Sequence, residues 1–229
     1  MSPTLTRIVG LLVLLAVSLT LAASSLHQPW LKYSFQPLAT LLILAIPVTQ
    51  FIKHPSPYAF WISTGLFFSL FGDILLMFPD RFFLHGLAAF LMAHIAYLIA
   101  FTREAKFPAR LSIWLIYLAG VACFFLLAIF PKLPTGLRLP IIVYMFFAVS
   151  MAAQSMGRFL ILNSIPDALA AFGAILFVLS DSLLAFDRFR SPLPAPAFFV
   201  LIPYYLAQWL IALSTQPSSS KTSVIQTEG

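Results

Sequence analysis

The chain alternates between long apolar runs and short polar segments over most of its length. A helix that spans the hydrocarbon core of a bilayer needs about 20 mainly apolar residues. Eight segments meet this requirement, at residues 7–24, 34–52, 58–78, 83–102, 110–130, 138–157, 167–187 and 196–214. The pattern therefore predicts an all-α protein, a polytopic transmembrane bundle of eight helices.

Short loops that contain proline separate the apolar segments. Proline lacks a backbone N–H, so it is best tolerated in turns and in the first turn of a helix. The predicted turns contain Pro29, Pro55, Pro57, Pro79, Pro108, Pro131, Pro134, Pro166, Pro192, Pro194 and Pro196. Because every loop is short, residues 1–215 are predicted to form a single transmembrane domain. Residues 216–229 are polar and rich in serine, which predicts a disordered tail.

The composition supports a membrane location. Of the 229 residues, 61% are hydrophobic and 9% are charged, whereas soluble domains carry about a quarter charged residues. The net charge of +6 comes from Lys and Arg between the apolar runs, where they face lipid headgroups, so nucleic-acid binding is not expected. The single cysteine, Cys123, lies in an apolar run and offers neither a disulfide nor a set of thiolate ligands.

The topology rests on the first segment and on the basic loops. Residues 7–23 have the basic start and apolar middle of a signal peptide, but we interpret them as a retained first helix because the rest of the chain is membrane-embedded. The 13 Lys and Arg divide seven to six between the two sides, and the densest basic loop, residues 103–110, lies on the side of both termini. This loop favours cytoplasmic termini, and the expected location is the bacterial inner membrane.

Two of the segments carry the same motif. Asp73 and Asp181 are each followed by Leu-Leu and then by Asp-Arg-Phe, with Pro79 as an extra residue in the first copy. The two aspartates are 108 residues and four helices apart, so both motifs cross the membrane in the same direction. The motif predicts a parallel four-plus-four repeat with the two carboxyl groups at equal depth. Chance similarity between two apolar helices is the alternative.

The two aspartates are the strongest candidates for chemistry. An aspartate within a spanning helix costs about 2.5–3.5 kcal/mol on insertion scales and usually faces a partner or a cavity. When two carboxyl groups share an apolar site, one can keep its proton while the other is ionised. Such a pair can serve as general acid and general base on an acid-labile ether or acetal. Translocation of protons or cations, or simple helix pairing, would use the same residues.

Further polar side chains at membrane depth are predicted to line the same cavity as substrate-binding residues. They are His94, Tyr97, Tyr144, Ser180, Tyr204, Tyr205 and Gln208. Each also has an ordinary explanation, since tyrosines often anchor helices at the interface and a lone histidine is more often a packing residue. The histidines lack a metal-binding spacing, and motifs for nucleotides or serine hydrolases are missing, so neither a metal nor a cofactor is expected.

Three stretches carry a family resemblance, namely Gly72-Asp73-Ile74-Leu75-Leu76-Met77 and residues 86–97 and 173–185. They resemble the YhhN family, which includes the TMEM86 lysoplasmalogenases, and the likeness extends over residues 35–213. One difference is Gln36-Pro37-Leu38, where relatives often have Lys-Pro-Leu. The two aspartate motifs are the most specific part of the resemblance.

The resemblance implies hydrolysis of the vinyl-ether bond of lysoplasmalogen, which gives a fatty aldehyde and glycerophosphoethanolamine or glycerophosphocholine. The substrate would then be a lysophospholipid from the membrane lipid. Enol-ether hydrolysis begins with protonation of carbon and gives an oxocarbenium ion that water captures, a path that needs an acid and a nearby carboxylate. Asp73 and Asp181 are therefore the candidate catalytic residues, one as acid and one as base. A proton-coupled transporter and a non-catalytic scaffold are the alternatives, and the sequence specifies no oligomeric state.

Overall fold

Eight α-helices make up the part of the chain that the structure describes. The computed structural model describes residues 3–26 and 28–216. Within them the helices are α1 Pro3–Ser25, α2 Pro29–Lys53, α3 Pro57–Leu76, α4 Pro79–Phe101, α5 Leu111–Phe124, α6 Thr135–Leu162, α7 Ile165–Phe189 and α8 Pro196–Leu213. All eight, α5 with the turns that follow it, are long and apolar enough to cross a membrane. The predicted all-α transmembrane fold is thus confirmed, while the predicted tail lies outside the described residues beyond Gln216.

Proline starts most of the helices. The first residues of α2, α3, α4 and α8, and the second residue of α7, are Pro29, Pro57, Pro79, Pro196 and Pro166. The fixed φ angle of proline suits the first turn of a helix, where its missing N–H has no intrahelical partner. For this reason α2 begins at residue 29, before the predicted start at residue 34.

The fifth helix is peripheral, and its end departs from α-helical geometry. No residue of Leu111–Phe124 is buried. A π-helical turn, Phe125–Ile129, and a 3₁₀ turn, Phe130–Lys132, then carry the chain towards α6. The π turn directs Phe125 and Ile129 inward, where they form a small apolar cluster with Leu133 and Ile141. This cluster closes one side of the bundle next to α7.

The helices pack in an order that is the same in the two halves of the chain. In the first half α1 packs on α2, α2 on α3 and α3 on α4, and in the second half α5 packs on α6, α6 on α7 and α7 on α8. The halves meet where α4 packs on α6 and α2 on α8. If each helix is replaced by the one four places further on, with α1 following α8, the α4–α6 contact becomes the α8–α2 contact and the α2–α8 contact becomes the α6–α4 contact. The four-plus-four repeat stays a prediction, and this packing order is consistent with it.

Glycines in α3 allow its close approach to α4. A Cβ atom on Gly65 would lie 2.2 Å from the ring of Tyr97, and one on Gly72 would lie 2.5 Å from the ring of Phe90. Both rings are buried. Small residues let the backbones of membrane helices come together, and here each glycine makes room for one aromatic ring of α4.

We expect Gly65→Ala to lower the free energy of unfolding by about 1–3 kcal/mol, because the added methyl group overlaps the buried ring of Tyr97. Gly120→Ala is the matched control, since nothing lies within 4 Å of the corresponding position. Helix propensity should make this control neutral or more stable by up to about 1 kcal/mol. Thermal unfolding of both variants in one detergent measures the difference, and equal melting temperatures would contradict the packing described here.

A buried charged cluster lies at one end of the bundle, where α3 and α7 begin. Arg158 of α6 places its Nη2 atom 2.7 Å from Glu104 Oε2 and its Nε atom 2.9 Å from Asp167 Oδ1. The second contact is an ion pair whose N–H direction is unfavourable for a hydrogen bond. The guanidinium carbon also lies 4.4 Å from the ring centre of Tyr58. The cluster ties α6 to the start of α7, the start of α3 and the loop after α4.

Candidate active site

Asp73 and Asp181 line one cavity of about 840 Å³. Asp73 lies in the last turn of α3, and Asp181 lies about two turns before the end of α7, so the cavity opens at the end of the bundle opposite the Arg158 cluster. Its other polar side chains include Lys32, Tyr33, Gln36, Ser180, Asp187, Arg188 and Tyr204. The two carboxyl groups that the repeated motif singled out therefore share one polar space.

Asp73 is held from two sides. Its carboxyl group is 2% exposed, and its Oδ2 atom accepts a hydrogen bond of 2.8 Å from the Tyr204 hydroxyl of α8. The Thr40 hydroxyl of α2 donates to the same oxygen. Two donors on one oxygen fix the orientation of the carboxyl group, and the Gln36 side chain of α2 also interacts with it.

Asp181 is held by a histidine. The Nε2 atom of His94 in α4 lies 3.0 Å from Asp181 Oδ2 and 3.0 Å from the Tyr144 hydroxyl of α6. His94 is fully buried, whereas the side chain of Asp181 is 17% exposed. We assign the ring hydrogen of His94 to Nε2, because the buried Nδ1 atom has no partner in the described part of the chain to which it could donate, whereas Asp181 Oδ2 can accept. His94 thus donates to Asp181 Oδ2, and the Tyr144 side chain also interacts with Asp181.

The two carboxyl groups are held in corresponding ways. Asp73 of α3 contacts side chains of α8 and α2, and Asp181 of α7 contacts His94 of α4, which itself contacts α6. Moving each helix four places along the chain converts the first arrangement into the second. Each aspartate therefore meets a side chain from the last helix of the other half of the chain.

The other predicted site residues divide into two groups. Ser180 and Tyr204 line the cavity, and Tyr144 lines a neighbouring slot. The remaining side chains are packed behind these walls, each 3% exposed or less, and are His94, Tyr97, Tyr205 and Gln208. A role in substrate binding stays a prediction for all of them.

Hydrogen bonds explain how the second group supports the first. The Tyr97 hydroxyl donates to Gln208 Oε1 at 2.8 Å, which links α4 to α8. The Tyr205 hydroxyl donates to the Gln36 carbonyl oxygen at 3.0 Å, which links α8 to α2. These bonds tie the helix that carries Tyr204 to α4 and to α2.

An apolar slot of about 60 Å³ adjoins the polar cavity. Its walls come from α4, the end of α5, α6 and α7, and include Phe83, Phe90, Phe124, Phe125, Met145 and Val178. Asp181 lines both the slot and the cavity, whereas Asp73 lines the cavity alone. Asp181 is therefore the carboxyl group at the junction between the apolar and the polar space.

Sequence analysis missed Lys32 and Thr40 of α2 and noted Gln36 only as a difference from the relatives. All three residues face this site. They are four residues apart and so lie on one face of the helix. The available signal was one polar residue in each turn of an otherwise apolar segment. Lys32 was counted with the loops because the predicted helix began at residue 34.

The fold and the site define an integral membrane protein whose helices enclose two carboxyl groups in a cavity next to an apolar slot. The model of the YhhN family matches residues 31–215, and the chain belongs to this family.

Named relatives come from animals and from a bacterium. The chain is 31% identical to lysoplasmalogenase TMEM86A of Bos taurus over 78% of this chain and 73% of that protein. It is 35% identical to lysoplasmalogenase TMEM86B of Sus scrofa over 70% of this chain and 66% of that protein. It is 30% identical to a lysoplasmalogenase of Mycobacterium bovis over 83% of this chain and 71% of that protein. No solved structure matches the chain.

Proposed function

We propose that the chain is a lysoplasmalogenase, a hydrolase that cleaves the vinyl-ether bond of lysoplasmalogens. The products are a fatty aldehyde and glycerophosphoethanolamine or glycerophosphocholine. The observation that carries the proposal is the placement of Asp73 and Asp181 in one cavity, with Asp181 also bordering an apolar slot. The names of the relatives support the same activity.

The shape of the site suits a single-chain amphiphile. A polar cavity of about 840 Å³ next to a narrow apolar slot offers separate places for a headgroup and for the first carbons of one alkyl chain. In our proposal the glycerophosphate part occupies the cavity and the chain enters the slot between α4, α5, α6 and α7. The alkenyl ether, which joins these two parts of the lipid, then lies at the junction beside Asp181.

This orientation assigns the two catalytic roles that the sequence left open. In an alkenyl ether the oxygen is on the glycerol side. The carbon that accepts the proton is the second carbon from this oxygen, at the end of the double bond that continues into the chain. Asp181 borders the slot, so we propose that its carboxyl group gives the proton to this carbon and becomes a carboxylate. His94 then stabilises the new charge through its hydrogen bond to Asp181 Oδ2.

Asp73 takes the second role in this scheme. Protonation of carbon leaves an oxocarbenium ion, and the Asp73 carboxylate in the cavity offsets its positive charge. Asp73 Oδ1 also accepts a proton from the water that attacks the carbon bonded to oxygen, which gives a hemiacetal. As the hemiacetal breaks its bond to the glycerol oxygen, Asp73 gives the proton it took from water to that oxygen and takes up the proton of the hemiacetal hydroxyl, and the aldehyde is released. This proton then passes from Asp73 to Asp181, directly or through solvent, so both carboxyl groups regain their starting states and water is the only co-substrate.

We also propose a location, which the eight apolar helices and the basic loop after α4 support. We propose that the chain lies in the bacterial inner membrane with both termini in the cytoplasm. Eight spanning helices put both termini on one side, and the basic loop after α4 lies on that side. The cavity then opens on the opposite side, where α2 and α8 begin.

The activity is tested with purified protein in detergent. The product of hydrolysis is measured for three substrates: the aldehyde from a lysoplasmalogen, the fatty alcohol from a lysophospholipid with a saturated ether at the same position, and the fatty acid from one with an ester. We expect release from the alkenyl ether alone, because only this bond is activated by protonation of carbon. Absence of aldehyde with protein that unfolds cooperatively, or equal cleavage of the saturated ether, would contradict the proposal.

We expect Tyr204→Phe to lower kcat about tenfold to a hundredfold, because it removes a hydrogen bond to a carboxylate whose charge is needed in the transition state. Tyr58→Phe is the matched control. It also removes a hydrogen bond, of 2.7 Å to Ser214, but at the far end of the bundle. Steady-state kinetics should separate the two variants, and an equal loss of kcat in both would argue against a specific role for Tyr204.

A further inference from the structure

Lys32 is an unpaired cation in the wall of the cavity that holds the two aspartates. It lies in the first turn of α2 and is partly buried. Among residues 3–26 and 28–216, its ammonium group has no ion pair and no hydrogen bond. The other cation in the wall, Arg188, is more exposed and already lies 4.0 Å from Asp80 and over the ring of Phe83. Lys32 is therefore the cation that is free to bind an anion in the cavity.

Gln36 presents a second free group one turn further along the same helix. It is 5% exposed and lines the cavity, and its Oε1 atom is buried without a partner in the described part of the chain. Its side chain also interacts with Asp73. Because a carboxylate accepts hydrogen bonds, the amide nitrogen faces Asp73 and the oxygen is left to accept from another donor. A buried unpaired acceptor in a cavity wall costs free energy unless a ligand satisfies it.

These two groups are followed on the same face of α2 by Thr40, which contacts Asp73 of α3. Lys32, Gln36 and Thr40 are four residues apart, so they lie on one face and about 6 Å apart along the axis. Thr40 donates to Asp73, which marks the depth of the reaction. From the mouth inward, the wall therefore offers a cation, a hydrogen-bond acceptor and a carboxylate. A lysophospholipid carries a phosphodiester, a free hydroxyl and an ether on three successive glycerol carbons.

We propose that Lys32 and Gln36 form a subsite for the glycerophosphate part of the substrate. The Lys32 ammonium binds the phosphodiester, and Gln36 Oε1 accepts a hydrogen bond from the hydroxyl on the middle glycerol carbon. The subsite rests on the proposed function. It gives a binding partner to the phosphate and to the free hydroxyl of the substrate. The phosphate anion is kept at the mouth, away from the carboxyl groups that would repel it. A lipid acylated on the middle carbon has no hydroxyl to donate and would leave Gln36 unsatisfied.

The phosphate contact is tested by comparing two substrates, a lysoplasmalogen and a 1-O-alkenylglycerol that lacks the phosphate. We expect wild type to prefer the first in kcat/KM, and we expect Lys32→Met to reduce this preference about tenfold to a hundredfold. Lys32→Arg should retain most of it. Lys53→Met, at the exposed end of the same helix, is the matched control and should keep the wild-type preference. An unchanged preference in Lys32→Met would overturn the assignment.

The hydroxyl contact is tested separately with Gln36→Leu. Wild type should discriminate between a lysoplasmalogen with a free hydroxyl and the same lipid with that hydroxyl methylated, and the variant should lose most of this discrimination. The expected loss is about threefold to tenfold, as for a neutral hydrogen bond. If Gln36→Leu discriminates as well as wild type, Gln36 does not contact the hydroxyl.

Binding measurements separate this subsite from the catalytic proposal. A 1-O-hexadecyl lysophospholipid and 1-O-hexadecylglycerol contain no vinyl ether, so their affinities do not depend on turnover. Isothermal titration in detergent should show that Lys32→Met weakens binding of the phospholipid alone, by the same factor as in kinetics. If wild type binds the phospholipid in this way but releases no aldehyde, the subsite stands and the proposed function fails. Equal affinities of wild type and Lys32→Met for the phospholipid would overturn the subsite.

Discussion

Replacing Asp181 with asparagine is expected to lower kcat about 10³-fold, because an amide cannot deliver a proton to carbon and general acid catalysis contributes about 10²- to 10⁴-fold. Asparagine has the same shape and still accepts the hydrogen bond from His94, so the fold should persist. Asp73→Asn should cause a loss of similar size, since it removes the charge that offsets the oxocarbenium ion and the acceptor of the water proton. Initial rates of aldehyde release measure both effects.

The matched control for both variants is Asp187→Asn. Asp187 is a third carboxyl group in the cavity wall, and its Oδ1 atom accepts a backbone N–H from Leu193 at 2.8 Å, a bond that asparagine can keep. It lies two turns from Asp181 towards the end of α7, and we assign it no role in the reaction. We expect it to retain kcat within about threefold, as for a substitution that leaves the reacting groups in place. Turnover at the wild-type rate by Asp181→Asn would rule out our assignment of the acid.

The largest expected effect on stability comes from Arg158→Ala. Removing one partner from a buried ion pair costs about 3–5 kcal/mol, because the opposite charge stays buried without compensation. Arg158 is 6% exposed and Asp167 is 3% exposed, so this condition is met. The variant also loses the contact of the guanidinium with the ring of Tyr58. A lowered melting temperature in detergent, measured beside wild type, tests the expectation.

Lys106→Ala provides the control for this variant. Lys106 lies in the basic loop that carries Glu104 of the cluster, but it is exposed. Substitution of such a residue should change the free energy of unfolding by about 0.5 kcal/mol or less. Because the Arg158 cluster lies at the opposite end of the bundle from the cavity, the folded fraction of Arg158→Ala should turn over at the wild-type kcat. A melting temperature equal to that of Lys106→Ala would show that the cluster does not stabilise the bundle.

The sequence predicted the features that local composition determines. The eight helices follow from apolar length, whereas the predicted starts at residues 34 and 83 lie inside helices that begin at Pro29 and Pro79. The repeated motif identified Asp73 and Asp181, and both line one cavity. His94 and Tyr144 were predicted to face the same interior, and they meet each other and Asp181 within hydrogen-bonding distance. Their roles in catalysis and binding remain predictions.

Features that depend on how helices cross could not be predicted in this way. Thr40 contacts Asp73 across 33 residues of sequence and Tyr204 contacts it across 131, and only the rotation of each helix about its axis selects these partners. Lys32 was overlooked for a different reason. Apolar length underestimates a helix that begins with the polar turn of Pro29, so a lysine of the first turn was counted with the loops. The division into a polar cavity and an apolar slot likewise depends on how the helices pack against one another.

The most direct test of vinyl-ether hydrolysis is to run the reaction in D₂O and to analyse the released aldehyde by mass spectrometry. If a carboxyl group of the protein protonates the alkenyl carbon, the aldehyde from wild type carries one deuterium on the carbon next to the carbonyl group. The amount of labelled aldehyde should equal the amount of glycerophosphoethanolamine formed. Aldehyde without deuterium, or no aldehyde at all from folded wild-type protein, would contradict the central claim.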